Sequence, residues 1–192
     1  MDFGTSYGLA FASGVNAYLP LLSFAIAARW FHLYKVNPNF AFITQDWFMV
    51  ALAILALADL FADKIPGVDH VWDAIHTVLR PIAGALVAAA SDSQVSGAGI
   101  PVTFLLGAAV AGMTHTTKAT TRVVSTATTA GFGNIVLSVL EDIAAVITIL
   151  LSLFAPYIMV VVIILFALIF LLSAPRIIRA FNRRKRREAI SR

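Results

Sequence analysis

Residues 143–174 read IAAVITILLSLFAPYIMVVVIILFALIFLLSA, and no charged side chain interrupts them. An α-helix rises about 1.5 Å per residue and the hydrocarbon core of a membrane is about 30 Å thick, so about 20 apolar residues cross it. The stretch is longer than a single crossing requires, and Pro156 divides it. It therefore predicts two membrane-spanning helices joined by a tight turn.

The composition extends this interpretation to the whole chain. Of the 192 residues, 60% are hydrophobic and 12% are charged, and the mean hydropathy is +0.89. Soluble domains average about 45–50% apolar and about 25% charged residues. The sequence predicts an all-α, polytopic transmembrane helical bundle of about six spans, which form a single domain over residues 1–175. The six hydrophobic segments are 5–30, 47–63, 72–91, 100–122, 131–153 and 157–174.

The chain contains no cysteine. Disulfides, thiolate catalysis and cysteine-based metal sites are therefore excluded. Any site chemistry has to come from carboxylates, imidazoles, hydroxyls and basic side chains.

Two of the predicted spans contain residues that interrupt helices. Residues 13–20 include a glycine, a proline and Asn16, and residues 130–134 include two glycines and Asn134. Paired interruptions of this kind point to binding sites at unwound helix ends in transporters, although glycines also let membrane helices pack closely. We predict broken or re-entrant helices near both positions.

Charged side chains cluster in three places along the chain. These are DLFADKIPGVDHVWDAIHTVLR (59–80), THTTKATTR (114–122) and the acidic pair at 141–142. A charge at the bilayer centre costs about 2.5–3.5 kcal/mol, so six unpaired charges would cost about 15–20 kcal/mol and exceed a typical total stability of about 5–15 kcal/mol. The groups must therefore pair, reach water or lose their charge. Helical spacing places Asp59 with Asp63 on one face, Asp69, Asp73, His76 and Arg80 on another, and His115, Lys118 and Arg122 on a third.

Several kinds of chemistry fit these clusters. Asp69, Asp73 and His76 supply the oxygen and imidazole donors of a divalent metal site, so a divalent metal ion is a candidate cofactor. Carboxylates beside histidines alternatively relay protons, and the basic side chains could hold an anionic substrate or a lipid phosphate. The same groups could also form a charge ladder at the cytoplasmic interface that only fixes the register of the helices.

We predict that the clusters form one binding site for an ion or solute. The leading hypothesis is a small transporter or channel, rather than an enzyme, for a cation, a proton or an anionic solute. One alternative is a metal-dependent membrane enzyme or translocase that acts on a lipid phosphate; another is a structural or partner-binding membrane protein with an ion-pair network. The candidate site residues are Asn16, Asp59, Asp63, Asp69, Asp73, His76, Arg80, His115, Lys118, Arg122, Asn134, Glu141 and Asp142.

The basic residues are concentrated in a tail. Residues 176–192 hold eight of the 14 lysines and arginines against one acid, whereas the rest of the chain has six basic and nine acidic residues, a sum of −3. The positive-inside rule places this tail in the cytoplasm, where anionic lipid attracts it by about 1 kcal/mol per basic residue. We expect both termini to be cytoplasmic. The expected partners are the bilayer, anionic lipids and a small ion or solute, with a homo-oligomer as a further option and no role for nucleic acid.

Four stretches carry a resemblance to a known family: SGVNAYLPLL (13–22), DKIPGVDHVWDAIHTVLRPIAGAL (63–86), HTTKATTR (115–122) and GFGNIVLSVLED (131–142). With them the chain resembles, over residues 8–175, the small bacterial membrane proteins of domain of unknown function 4126. The resemblance implies a bacterial inner-membrane location and a multi-span helical fold. It implies no particular activity.

Overall fold

The structure is a computed structural model that describes residues 3–62, 65 and 68–190, with side chains except at 68–70, 174 and 176–190. Every regular element in these ranges is helical, as the sequence predicts. A 3-10 helix (Pro38–Thr44) precedes the third α-helix. The α-helices are α1 (Phe3–Ser13), α2 (Leu19–Arg29), α3 (Asp46–Ala62), α4 (Val68–Ser91), α5 (Gly99–Thr129), α6 (Phe132–Phe154) and α7 (Pro156–Ile190).

Fewer helices than predicted are long enough to cross a membrane. Among the described residues, four stretches have the length and apolarity of a span: Val71–Ser91, Gly99–Thr129, Phe132–Phe154 and Pro156–Ser173. The 3-10 helix and α3 form a fifth candidate if they act together, and they are bent by 63° at their junction. The prediction of about six spans is therefore not confirmed.

The difference arises in the first predicted segment, 5–30, which is two helices. α1 and α2 contain 11 residues each, so each is about 16 Å long, roughly half of the hydrocarbon core. Between them the Oδ1 of Asn16 accepts hydrogen bonds from the backbone N–H groups of Tyr18 (3.0 Å) and Leu19 (2.9 Å). Asn16 thus satisfies N–H groups that the start of α2 leaves without helical partners. The interruption predicted at 13–20 is this break.

Packing contacts show that the two short helices form a hairpin. Ser91, at the end of α4, donates a hydrogen bond to Ser6 of α1 over 3.0 Å. Tyr34, shortly after α2, donates to the carbonyl of Leu153 near the end of α6. The beginning of α1 and the end of α2 therefore lie at the same end of the bundle. At this end α4 and α6 finish and α5 and α7 start, and we call it the loop end. The hairpin tip, residues 14–18, lies inside the bundle.

α1 occupies the centre of the bundle. All of its residues after Phe3 are buried, and it packs against α4, α5, α6 and α7. A Cβ atom added to Gly4 would overlap the backbone of Pro156, and one added to Gly8 would overlap the side chain of Ser152. Small residues therefore let α1 approach its neighbours at backbone distance, as they do at interfaces between membrane helices.

α7 runs alongside α1 in the same direction. Gly4 faces Pro156 at the start of α7, and further along the rings of Phe11 and Phe166 meet edge to face at 4.9 Å. The beginning of α1 and the far end of α7 therefore lie at opposite ends of the bundle. The orientation of the two termini relative to a membrane stays a prediction.

The second predicted interruption, at 130–134, is a turn between two helices. Ala130 (φ 53°) and Gly131 (φ 93°) adopt left-handed conformations that end α5, and α6 then begins at Phe132 and runs through Asn134. The glycine signal here marks a helix end. It does not mark a break within a span, as the sequence had suggested.

α4 and α5 form the most extensive helix pair in the bundle. Where they cross, Gly107 of α5 lies against Gly84 of α4. A Cβ atom on Gly107 would stand 2.6 Å from the carbonyl oxygen of Gly84 and 2.7 Å from the Cβ of Ala88. A Cβ atom on Gly112, further along α5, would have the Cγ of Pro81 as its nearest neighbour, at 4.0 Å. Gly107 and Gly112 therefore both lie within α5, but only Gly107 is tightly packed against α4.

We predict opposite effects of alanine at these two glycines. Gly107→Ala should lower the thermal unfolding midpoint in detergent, because the overlap forces the helices apart at a cost of about 1–3 kcal/mol. Gly112→Ala should leave the midpoint unchanged or raise it, because alanine favours helix by about 1 kcal/mol where there is space. A Gly107→Ala protein as stable as the wild type would contradict the close crossing of α4 and α5.

A buried charge network as the candidate functional site

Charged side chains from four helices meet in the half of the bundle away from the loop end. Five of the six are buried, with relative exposures of 0–8%, and the side chain of Glu141 is 15% exposed. We call these residues the charge network: Asp59 of α3, Asp73 and Arg80 of α4, Lys118 and Arg122 of α5, and Glu141 of α6.

Acids and bases alternate along a continuous line through the network. Three carboxylates and three basic groups take part, so these six residues sum to zero charge. Pairing of this kind is what a buried charge requires, because an unpaired one costs several kcal/mol. The successive N–O distances are 3.6 Å for Asp59–Arg80, 3.2 Å for Arg80–Asp73, 3.4 Å for Asp73–Arg122, 2.5 Å for Arg122–Glu141 and 3.3 Å for Glu141–Lys118.

His115 joins the network through a hydrogen bond that identifies its tautomer. Its Nδ1 lies 2.9 Å from an Nη1 of Arg80. A guanidinium group only donates hydrogen bonds, so this Nδ1 accepts and carries no proton. The ring proton is then on Nε2, which lies 3.2 Å from the hydroxyl of Thr77. His115 is therefore neutral and leaves the charge sum of the network unchanged.

Aromatic side chains surround the Asp59 end of the network. The indole N–H of Trp72 donates to Oδ1 of Asp59 over 2.6 Å. His76 donates from Nδ1 to the carbonyl of Trp72 over 2.8 Å and turns Nε2 towards Asp59 at 3.6 Å. The ring of Tyr18, from the hairpin tip, packs edge to face on His76 with centroids 5.6 Å apart. Asp59 is thus fixed by a short bond and has only 1% exposure.

A direct hydrogen bond connects the network to the hairpin tip. The ammonium group of Lys118 donates to the backbone carbonyl of Val15 over 3.1 Å, and it also pairs with Glu141. The carbonyls at the end of α1 carry the negative end of the helix dipole and lack helical partners. A cation at this position therefore stabilises a helix end that lies inside the bundle.

The position of the network along the helices follows from the helical rise. At about 1.5 Å per residue, Arg80 lies about 17 Å and Lys118 about 29 Å along their helices from the loop end. A hydrocarbon core is about 30 Å thick. Measured from the loop end, the network therefore extends from about half of this thickness to nearly all of it.

The remaining predicted site residues lie in different places. Asn16 accepts hydrogen bonds from the backbone N–H groups of Tyr18 and Leu19 just before α2. Asn134 is buried and donates to the hydroxyl of Thr126 over 2.9 Å, and Asp142 is half-buried beside Glu141. Asp63 and the side chain of Asp69 lie outside the described residues.

The predicted metal site would combine Asp69, Asp73 and His76. Among the described side chains, no group of three or more histidines, aspartates or glutamates is placed to hold a metal ion. Asp73 uses one oxygen for Arg80 and the other for Arg122. Because Asp69 is not described, this metal site stays a prediction.

Sequence reasoning did not select Trp72, Tyr18 or the backbone of Val15 as parts of the site. Trp72 lies four residues before His76, so both lie on one helix face. This spacing is visible in the sequence and could have indicated that Trp72 belongs to the site. The contributions of Tyr18 and Val15 depend on the hairpin reversal. Spacing along the sequence cannot show that reversal.

We predict a large difference between two arginine substitutions. Arg122→Met should lower the free energy of unfolding by about 3–5 kcal/mol, because it removes the base that Asp73 and Glu141 share and leaves a buried excess of negative charge. Arg29→Met is the control and should cost about 1 kcal/mol or less, since Arg29 pairs with an Asp46 side chain that is 82% exposed.

The comparison requires denaturant unfolding of both variants in the same detergent. Adding Asp73→Asn to Arg122→Met should recover part of the loss, because the remaining charges then pair as Asp59 with Arg80 and Glu141 with Lys118. Equal, small losses for the two arginines would show that the network is hydrated rather than buried.

Comparison with known proteins identifies a family and no characterised relative. The family model described as Domain of unknown function (DUF4126) matches residues 3–176. No curated protein and no solved structure matches the chain. The match agrees with the resemblance that the sequence motifs indicate.

Proposed function

The chain belongs to the family described as Domain of unknown function (DUF4126), and we propose that it is a small multi-pass membrane transporter or channel. The observation that carries this proposal is the charge network, buried in a bundle of apolar helices and bonded to the tip of a helical hairpin. The solute would pass along the hairpin and through the network. The candidate site residues are those of the network, with His76 and His115 beside them.

The proposed topology has five spans and one re-entrant hairpin. α3 to α7 cross the membrane in alternating directions, and α1 with α2 enter from the loop end and return to it. The basic residues 176–192, most of which belong to the last part of α7, lie in the cytoplasm by the positive-inside rule, and they attract anionic lipid there. The loop end and the beginning of α1 then face the outside of a bacterial inner membrane.

The position of the hairpin tip supports a transport pathway rather than a role in packing alone. Non-helical backbone at membrane depth is tolerated only where it lies against protein or lines a wet cavity. Here such backbone, at residues 14–18, lies beside ionisable groups that are expensive to keep in a membrane and that commonly mark ion or substrate pathways. Broken helix ends near the membrane centre are also typical of binding sites in secondary transporters.

A structural role is the second candidate, and the neutrality of the network favours it. Three acids and three bases from four helices would fix the arrangement of those helices without binding anything. This alternative predicts a loss of stability on neutralisation and no flux. The lipid-phosphate enzyme receives less support, because the oxygens of Asp73 bond to arginines rather than standing free for a metal.

The test is ion flux through purified protein in vesicles, comparing wild type, Asp73→Asn and Asp92→Asn. We predict that Asp73→Asn abolishes flux, because it removes the charge that bridges Arg80 and Arg122 and keeps nearly the same shape. Asp92→Asn is the matched control at the loop end, where the carboxylate accepts a local backbone hydrogen bond from Gln94 at 3.1 Å. It should conduct like the wild type.

Thermal unfolding midpoints of the three proteins separate the two candidate functions. Loss of flux in Asp73→Asn with a midpoint close to that of Asp92→Asn supports transport. A wild-type protein that carries no ion, with instability confined to Asp73→Asn, would favour the structural role. Unchanged flux in Asp73→Asn would exclude the charge network as the pathway.

A further inference from the structure

We propose that the hairpin tip and Glu141 form a site for a monovalent cation, and that the ammonium group of Lys118 is its resident occupant. The protein then supplies from its own chain the cation that transporters with broken helices take from solution. The proposal deepens the proposed function and rests on it for one consequence, that transport needs neither sodium nor potassium. The site itself follows from the oxygens around the ammonium group and from its charge.

The first oxygen of the site is a backbone carbonyl that the break between α1 and α2 releases. In a continuous helix the N–H of Leu19 would donate to the carbonyl of Val15, four residues earlier. Here this N–H donates to Oδ1 of Asn16 over 2.9 Å, and the carbonyl of Val15 accepts from Nζ of Lys118 over 3.1 Å. Asn16 thus replaces the helical partner of Leu19 and leaves a carbonyl oxygen for a cation.

The second oxygen is a carboxylate from another helix. Oε2 of Glu141 lies 3.3 Å from Nζ of Lys118, whose side chain is 4% exposed. Protein oxygens therefore replace water around the ammonium group. Released carbonyls at broken helix ends coordinate sodium ions or protons in secondary transporters, and carbonyl oxygens replace the hydration shell of potassium in channels. The ammonium group stands where an inorganic cation would bind.

The charge of Lys118 indicates the valence of a cation that could replace its ammonium group. Lys118 contributes one positive charge, so a neutral side chain together with one monovalent cation leaves the sum of charges around the site unchanged. This balance holds for every further group that contacts Lys118, because each of them keeps its own charge. A monovalent cation therefore restores the native charge balance, whereas a vacant site leaves buried acid without it.

Attachment to α5 distinguishes this cation from a dissolved one. The ammonium group stays at the hairpin tip at every salt concentration, because Lys118 is part of a long helix that packs against α1. We therefore expect the wild-type protein neither to bind sodium or potassium at this position nor to need them for transport.

Thermal unfolding of Lys118→Met in detergent tests the site without any flux. Methionine keeps an unbranched apolar side chain of similar length and removes the ammonium group. The midpoint is measured at constant ionic strength in the chlorides of ammonium, sodium, potassium and tetramethylammonium. Tetramethylammonium carries the same charge but is bulky and has no N–H donor. Relative to it, ammonium should raise the midpoint in a saturable way, by about 3–6 °C at ten times the half-saturating concentration.

Three control proteins locate the effect. Wild type and Lys35→Ala, which changes an exposed lysine after α2, should have the same midpoint in all four salts. Lys118→Met with Glu141→Gln should lose the response, because it lacks the carboxylate oxygen of the site while one charge of each sign is removed. An equal response of wild type and Lys118→Met would contradict a resident ammonium group.

Recovery of folded protein extends the test to an unstable variant. If Lys118→Met unfolds in tetramethylammonium chloride, purification in ammonium chloride should keep it folded. Lys118→Ala should be recovered in the same way by methylammonium, which replaces the end of the missing side chain. Variants that stay unfolded, or whose midpoints do not shift, in ammonium, methylammonium, sodium and potassium alike would overturn the proposal.

Vesicle flux separates a failure of this inference from a failure of the proposed function. Replacement of all sodium and potassium by tetramethylammonium should leave the wild-type flux unchanged. Loss of flux on this replacement would contradict the inference, and transport would stand. Absence of flux in every salt, together with the ammonium response of Lys118→Met, would remove the transport function and support the cation site.

Discussion

A charge inside a membrane protein has to meet an opposite charge, and this requirement determines how the far half of the bundle is arranged. Asp59, Asp73 and Glu141 come from three helices, and each is paired with a base of α4 or α5. If one helix shifted along its axis, at least one pair would separate and leave a buried charge. The network therefore fixes the register of α3, α4, α5 and α6 together.

The half of the bundle near the loop end is held together by close packing of small residues rather than by ion pairs. Alanine and glycine residues fill the space between α1, α4 and α5, and the backbones approach each other at positions such as Gly84 and Gly107. The two halves meet at the hairpin tip, where Lys118 bonds to the carbonyl of Val15. Any movement of the hairpin is thus coupled to the network, and changes in the network reach the hairpin by the same bond.

Much of the site could be predicted from helical spacing. Asp73, His76 and Arg80 recur at intervals that place them on one face, and the structure brings that face against the bases of α5. The family match also confirms the resemblance carried by the motifs. The pairing of each acid with a particular base could not be predicted, because it depends on how far neighbouring helices are offset. That offset is a property of packing between helices, and spacing within one helix does not encode it.

The hairpin shows a second limit of sequence reasoning. Residues 5–30 have the length and apolarity of one span, and hydrophobicity does not distinguish a crossing from a reversal. The interruption near Asn16 was visible, but a similar glycine signal at 130–134 marks an ordinary turn between helices. What separates the two is the neighbourhood of each turn. The first lies inside the bundle against charged side chains, whereas Ala130 and Gly131 lie at the end of two full-length helices.

The most direct test of the re-entrant hairpin uses the absence of cysteine from the chain, because single introduced cysteines report one position each. Phe3→Cys, Gln94→Cys and Thr129→Cys would be reacted with a membrane-impermeant maleimide in sealed vesicles and again after permeabilisation. A hairpin that returns to the loop end places residues 3 and 94 on one side of the membrane and residue 129 on the other. Labelling of residue 3 together with residue 129 would mean that 5–30 crosses the membrane, and the contact between the hairpin tip and the charge network would be wrong.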